Sequence, residues 1–247
     1  MGVSIHYSLS APAALKPAEA LALVERMRAV ALEMKRRRRV KSVSTIASDT
    51  ADALYEGRQF PTVQSDWNGR KYSPDVFPKR GAIFEVDVGN DCEPLSIGLF
   101  KYPARVTSCE TRNNECRTKM GWAWQFHRHC KTQYASLHGW EHFRRCHVAV
   151  VDFLAALYAP GLSVTISDEG GYWPSRDVRT LRANVEMMNR VVASAAGALK
   201  DAFGDGGVQS PIFAHPQFER LEAEGVAERP DVADAARRIA GKLPRAQ

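Results

Sequence analysis

Five of the seven histidines fall between residues 127 and 147. His127 and His129 sit in a stretch that alternates like a strand. Met120, Trp122, Trp124 and Phe126 fall on one side of it, expected to be core, and Gln125, His127 and His129 on the other. Two imidazoles on one strand face, joined by Asp168 or Glu169, form a donor set suited to an open divalent metal centre holding zinc, iron or manganese. Metal-bound water would serve hydrolysis, with the remaining carboxylate as base. The spacing is less specific than the HExxH helix motif, which does not occur in this chain. His138 and His142, one helical turn apart around Glu141, form a rival pair.

The same residues support chemistry without a metal. Lys131 with His127 or His129, helped by helix N-termini, would hold a phosphate or carboxylate. Asp168 or Glu169 would then act as acid or base. Gln133 and Tyr134 follow the strand as ligand contacts, and Tyr172 and Trp173 would form an apolar wall. Cys130 is a further nucleophile candidate, but neighbours on a strand point to opposite faces, so His129 is badly placed to activate it. Against all of these stands a plainer reading, in which the polar side chains line a solvated sheet face and close the turns after it.

These candidates meet only if the right elements position them. Strand 120–130, helix 138–157 and strand 162–168 read as a β–α–β crossover, with Pro160-Gly161 ending the helix. Parallel strands in one sheet bring both C-terminal ends to one edge, and Gly170-Gly171 allows a sharp reversal there. The helix places Trp140, Phe143, His147, Val150, Leu154 and Leu157 on its inner face.

Around this unit the patterns predict a strand over 3–9, a helix over 17–38 opened by Pro17, and a short helix over 42–56. A long aperiodic loop spans 57–81 and carries Trp67, Tyr72 and Phe77. Strands are expected over 82–88 and 95–101. A hairpin of 104–112 with 115–130 would turn at Asn113-Asn114, with Arg112 facing Glu115 and Glu110 facing Arg117. Ser175 caps a helix over 176–203 that Gly204 ends, and short helices follow at 216–224 and 231–240. The expected fold is α+β. A central, mostly antiparallel sheet with one β–α–β crossover is covered by helices over residues 1–205, and residues 206–247 form a helical C-terminal extension.

The chain has 247 residues, 45 % of them hydrophobic, which excludes a disordered or low-complexity protein. Residues 1–80 carry 14 basic and 8 acidic side chains, while residues 81–247 carry 20 of each. The net charge of +6 is therefore concentrated around the run KRRRRVK at 35–41. Arg36, Arg37, Arg38 and Arg39 are candidate contacts for nucleic acid or an acidic protein partner. Cations at the end of a helix also suit its dipole without any partner. The five cysteines are odd in number and include no CxxC, which argues against a disulfide framework or zinc ribbon and for reduced thiols in the cytoplasm. No apolar run is long enough to cross a bilayer, and the start of the chain lacks the pattern of a signal peptide. P-loop, GxGxxG, GxSxG and kinase signatures do not occur. The functional expectation is a small-molecule or metal-assisted hydrolytic site at the ends of strands 120–130 and 162–168. The alternative is an interaction module that uses the basic 35–41 run, or a subunit of an assembly.

Overall fold

The computed structural model describes residues 3–64, 71–107, 115–158, 161–204 and 207–242. In chain order its elements are β1 (Ser4–Pro12), α1 (Pro17–Arg36), β2 (Ser42–Val43), β3 (Ala47–Ser48), α2 (Ala51–Glu56), β4 (Val63–Gln64), β5 (Lys71–Tyr72), β6 (Arg80–Asp87) and β7 (Leu95–Lys101). There follow β8 (Arg105–Thr107), β9 (Glu115–Arg117), β10 (Ala123–Lys131), α3 (Trp140–Ala156), β11 (Ser163–Asp168), α4 (Val178–Phe203), α5 (Phe218–Glu228) and α6 (Pro230–Ala240).

One seven-stranded sheet organises the molecule, in the order β11-β1-β10-β7-β6-β2, with β3 also on β6. Every neighbouring pair is antiparallel. β10 and β11 both run antiparallel to β1 and flank it, so they are parallel to each other. α3 makes the crossover between them, and the α+β architecture with one β–α–β unit is what the alternation implied.

Side-chain alternation along β1 fixes what each face does. Ile5, Tyr7, Leu9 and Ala11 are buried, while His6, Ser8 and Ser10 are not. The buried set joins Phe84, Leu95, Ile97, Leu99, Phe126, Phe143, Phe153 and Leu154 in one core. α1 adds Leu23, Val24, Met27 and Met34, the apolar stripe read from its spacing. The C-terminal helices α5 and α6 lie on α4 through small side chains, Ala193 and Ala196 toward Leu221, and Ala198 toward Ala233 and Ala236. A side chain on Gly225 would stand 2.2 Å from the Arg190 carbonyl oxygen, so this glycine sets how closely α5 and α4 approach.

Several local expectations are corrected. Residues 42–48 form two edge pairings on β6, leaving only Ala51–Glu56 helical, because the open edge of β6 supplies unpaired backbone groups. The 57–81 segment is not structureless. β4 pairs with β5, and Gln59 and Val76 exchange backbone bonds of 3.0 and 2.8 Å; Trp67 lies outside the described residues. The ribbon of β8 and β9 pairs Arg105 with Arg117 and Thr107 with Glu115, not the register that a turn at Asn113-Asn114 would give; Glu110 and Arg112 lie outside the described residues. Asn113 and Asn114 lie outside the described residues. The register is anchored at the base of the ribbon, where buried Thr118 donates its N–H to Ala104 and its hydroxyl to Pro103. Such bonds outweigh exposed ion pairs at a ribbon tip. Trp122 is 66 % exposed, because β10 begins one residue after it. Asp177, not Ser175, caps α4, accepting from Arg179 N–H at 2.8 Å.

The end of α1 has a paired closure. Arg38 N–H bonds to Lys35 O and Arg39 N–H to Met34 O, both at 2.9 Å, with Arg38 in the left-handed region at φ 58°. This is the helix stop usually made with glycine, and a non-glycine residue there costs about 1–2 kcal/mol. Arg38→Gly is expected to raise unfolding stability by about 1 kcal/mol in urea titrations. A loss of stability would mean that the arginine side chain supports the fold.

Among the described residues no helix is long and apolar enough to cross a membrane.

Candidate functional site

The two crossover strands end on either side of the start of β1. Ile5 pairs with Cys130 on one side and Asp168 on the other, and His6 pairs with His129 and Ser167. The expected convergence therefore occurs, with β1 as a wedge between the two ends. Val3 O accepts the Thr132 and Gln133 N–H groups at 3.1 and 3.3 Å, and Ser4 O accepts the Glu169 N–H at 3.1 Å.

The period of two then divides the candidates between the faces. Asp168 falls on the core side with Val164 and Ile5. Its side chain is fully buried, as is that of His147 from α3. Asp168 Oδ1 accepts the Gly170 N–H at 2.7 Å, and Oδ2 accepts those of Tyr172 and Trp173 at 2.8 and 2.9 Å. His147 Nε2 lies 3.1 Å from Oδ1, though off the line of a well-formed hydrogen bond, and nothing else partners it. On the other edge of the ring, Nδ1 stands 2.8 Å from the hydroxyl of buried Thr132. A carboxylate, an imidazole and a hydroxyl thus run in line from β11 through α3 to the end of β10. The order resembles a nucleophile relay, but the hydroxyl is closed to solvent. This chain fastens the crossover.

Gln133 also turns inward. It is buried, accepts the Val3 N–H at 3.1 Å and donates to Asn189 of α4 at 2.9 Å, so it ties the start of β1 to α4. Tyr172 is buried edge-on to His147, with ring centroids 6.4 Å apart, and Arg176 stands over both Tyr172 and Trp173. Cys130 is buried, and its thiol donates to the Glu93 carbonyl at 3.2 Å. Contact with Cys130 and then burial raise the Cys92 thiol, and burial pushes Cys146 up to about 11. These two thiols are thereby kept protonated at neutral pH.

The opposite face is open. His6 and His129 lie side by side on β1 and β10 with ring centroids 5.6 Å apart. Each has a carboxylate neighbour. Glu169 Oε1 is 3.4 Å from His6 Nε2, and Glu93 Oε2 is 3.9 Å from His129 Nε2. Both glutamates are held by backbone, Glu169 by the Ser4 N–H at 2.9 Å and Glu93 by the Lys131 N–H at 2.8 Å. The Lys131 ammonium stands over the Tyr134 ring, 5.2 Å from its centroid. His127 is one pair further along the face. Desolvation holds its imidazole below the ordinary value, and its carbonyl accepts from Gln59 at 3.0 Å. These histidines edge a shallow concavity of about 570 Å³ that also takes in Ser8, Gln59, Phe60, Arg128, Thr165 and Ser167.

The expected metal set is not assembled. His127 and His129 are on the open face, Asp168 is on the buried one and Glu169 stands beside His6, and among the described residues no group of three His, Cys, Asp or Glu side chains is arranged to hold a metal ion. His138 and His142 do lie together, with centroids 4.9 Å apart, but His138 pairs with Asp91 and His142 with Asn90 O. His6, Ser8, Glu93, Gln59, Thr165 and Ser167 were not singled out from the sequence. The alternation of His6 and Ser8 was the available signal, and only the pairing of β1 between the crossover strands gives it meaning.

The four arginines of the basic run part company. Arg36 and Arg37 turn back to Glu33, Arg39 pairs with Asp152, and Arg38 stands at a second concavity with Lys35, Lys41 and Arg145. A larger concavity of about 690 Å³ lies between α3, α4 and α5. Its arginines are neutralised locally, Arg182 by Glu186, Arg190 by Glu228 and Arg220 by Glu224, so it offers no converging free charge.

No family model, no curated protein and no solved structure matches this chain.

Burial alone would raise the Asp168 carboxyl, but His147 and the backbone N–H groups outweigh it and hold the carboxyl below its ordinary value. A depressed native value contributes stability that is complete above the unfolded value of about 3.9 and is lost as pH falls through the native one. Asp168→Asn is therefore expected to cost about 3–5 kcal/mol at neutral pH and to flatten the acid limb of the stability profile below about pH 4. Denaturant melts across that range would show both effects. An unchanged acid limb would mean that other carboxylates govern it.

Proposed function

We propose that the open face of β1, β10 and β11 binds a small hydroxylated molecule of sugar or nucleoside type, and that His6 and His129 perform paired proton transfer on it. The single observation that carries this reading is the adjacency of the two imidazoles, 5.6 Å apart on neighbouring strands and each backed by a carboxylate. Imidazole is the side chain suited to give and take protons near neutrality. Strand positions are rigid, which suits a pair that must act on one substrate. In a cleavage of an ester or phosphodiester bond, one ring takes the proton of the attacking hydroxyl or water. The other gives a proton to the leaving oxygen. The new bond to the attacking oxygen forms as the old one breaks, and proton exchange with solvent then returns each ring to its starting protonation state before the next turnover.

The lining supports this class of ligand. Ser8, Thr165, Ser167 and Gln59 offer hydroxyl and amide groups, and Phe60 offers an apolar surface. Glu169 and Glu93 act as orienters of the imidazoles in this reading, and Arg128 is the cation among the lining residues. Reduced thiols at Cys92, Cys130 and Cys146 support a cytoplasmic setting.

Ligand-observed NMR with a panel of nucleosides, sugars and their phosphodiesters tests the reading. Bound members should shift the His6 and His129 ring resonances together, and His6→Ala or His129→Ala should each weaken binding about tenfold. Turnover of any bound ester should follow a bell-shaped pH profile that either alanine substitution abolishes. Binding that leaves both rings unmoved, or a panel without a binder, would contradict it.

A further inference from the structure

The basic run contains a built feature that the sheet-face site does not use. Arg36 and Arg37 are consumed by Glu33 on the outer side of α1. Past the helix stop, the chain turns through Arg38 and brings Lys35, Arg38, Arg39 and Lys41 around one concavity of about 480 Å³. α3 contributes His142 and Arg145 to the same space, and the backbone of Val88–Asn90 forms its floor. Cations from two helices and a loop therefore converge on one point.

The floor requires glycine. A Cβ on Gly89 would stand 2.6 Å from Cys146 Sγ and 3.3 Å from His142 Cε1. With no side chain there, His142 settles onto the loop. Its Nε2 lies 2.9 Å from the Asn90 carbonyl oxygen, to which it donates, and its Nδ1 accepts from the Arg145 guanidinium at 2.9 Å. Arg145 is thus oriented by a histidine and not by a carboxylate.

Charge in the concavity is unbalanced. Lys41 has Asp87 at 3.3 Å, and Arg39 has Asp152, which it shares with Arg176 at 2.6 Å. Among the described residues no carboxylate pairs with Lys35, Arg38 or Arg145. Like charges gathered this closely repel one another, and an anion resolves the repulsion. Arg38 is held in a left-handed conformation that glycine would adopt without strain, so its side chain is placed at the concavity against the local backbone preference.

We propose that this concavity binds the phosphate chain of a small ligand, a di- or triphosphate. Three uncompensated cations match the charge of such a chain, and guanidinium groups suit its paired oxygens. The shape favours a compact polyanion over an extended nucleic-acid backbone. A backbone would need the cationic surface to continue along α1, where Arg36 and Arg37 are already neutralised by Glu33.

Isothermal titration of the full chain with inorganic triphosphate, ATP and a short single-stranded oligonucleotide tests this. Saturable one-to-one triphosphate binding is expected, weakened about tenfold or more in Arg38→Gly and Arg145→Gln and by no more than about twofold in Arg36→Gln. Arg38→Gly removes strain from the helix stop, so its loss of affinity should accompany an unchanged or raised melting temperature. Equal affinity for triphosphate and ATP assigns the ligand to a free phosphate chain, and tighter ATP binding assigns it to a nucleotide; both support the site. The proposal is overturned by an absence of saturable triphosphate binding, by equal losses in all three variants, or by an oligonucleotide that binds more tightly than triphosphate.

Discussion

The buried carboxylate of Asp168 is the constraint on which the rest of the crossover depends. It sits where β11 stops, and three backbone N–H groups of the following turn close onto it. Through His147 it reaches across α3 to Thr132 at the end of β10. A charge this far from water is tolerable only when it is surrounded by donors, and here nearly all of them come from backbone whose path it thereby dictates. The turn at 170–173, the seating of α3 and the separation of β10 from β11 all follow from satisfying one side chain.

That separation creates the slot for β1. Val3 and Ser4 are gripped from both sides, by Thr132 and Gln133 on the β10 side and by Glu169 on the β11 side. His6 is therefore presented beside His129, and Glu169 is turned outward toward it because Asp168 is turned inward. Inner and outer faces share one skeleton. The buried chain of Asp168, His147 and Thr132 sets the geometry, and the exposed group of Glu169, His6, His129 and Glu93 is what that geometry offers to solvent. The basic concavity at the end of α1 is built on separate supports, chiefly the helix stop at Arg38 and the glycine floor at Gly89.

Much of this was legible in local pattern. The β7 strand matches its alternation from Leu95 to Lys101, α1 starts at Pro17, and the β–α–β connection is implied by spacing alone. The partition of the carboxylates was also within reach. Val164 and Ile166 face inward, so Asp168 two residues on must follow them and Glu169 must not. That parity removes Asp168 from a metal set with His127 and His129 and leaves Glu169, which stands beside His6, on their face. What local pattern did not carry was long-range pairing. Nothing near residue 6 signals that β1 inserts between two strands more than a hundred residues away, so His6 gained no partners from sequence. The β8–β9 ribbon was misread for a related reason. Its register is anchored by the buried bonds of Thr118 at the base, which local charge pattern does not signal.

The most direct test of this account is the protonation of the His147 ring, read from long-range nitrogen–proton correlation spectra of the intact protein. A carboxylate at Nε2 and a hydroxyl at Nδ1 predict a proton on Nε2, slow to exchange with solvent, with Nδ1 accepting from Thr132. A ring carrying its only proton on Nδ1, or an Nε2 proton that exchanges as fast as that of an exposed histidine, would contradict it. In that case Asp168 would not fasten the crossover through α3, and the placement of His6 beside His129 would need another cause.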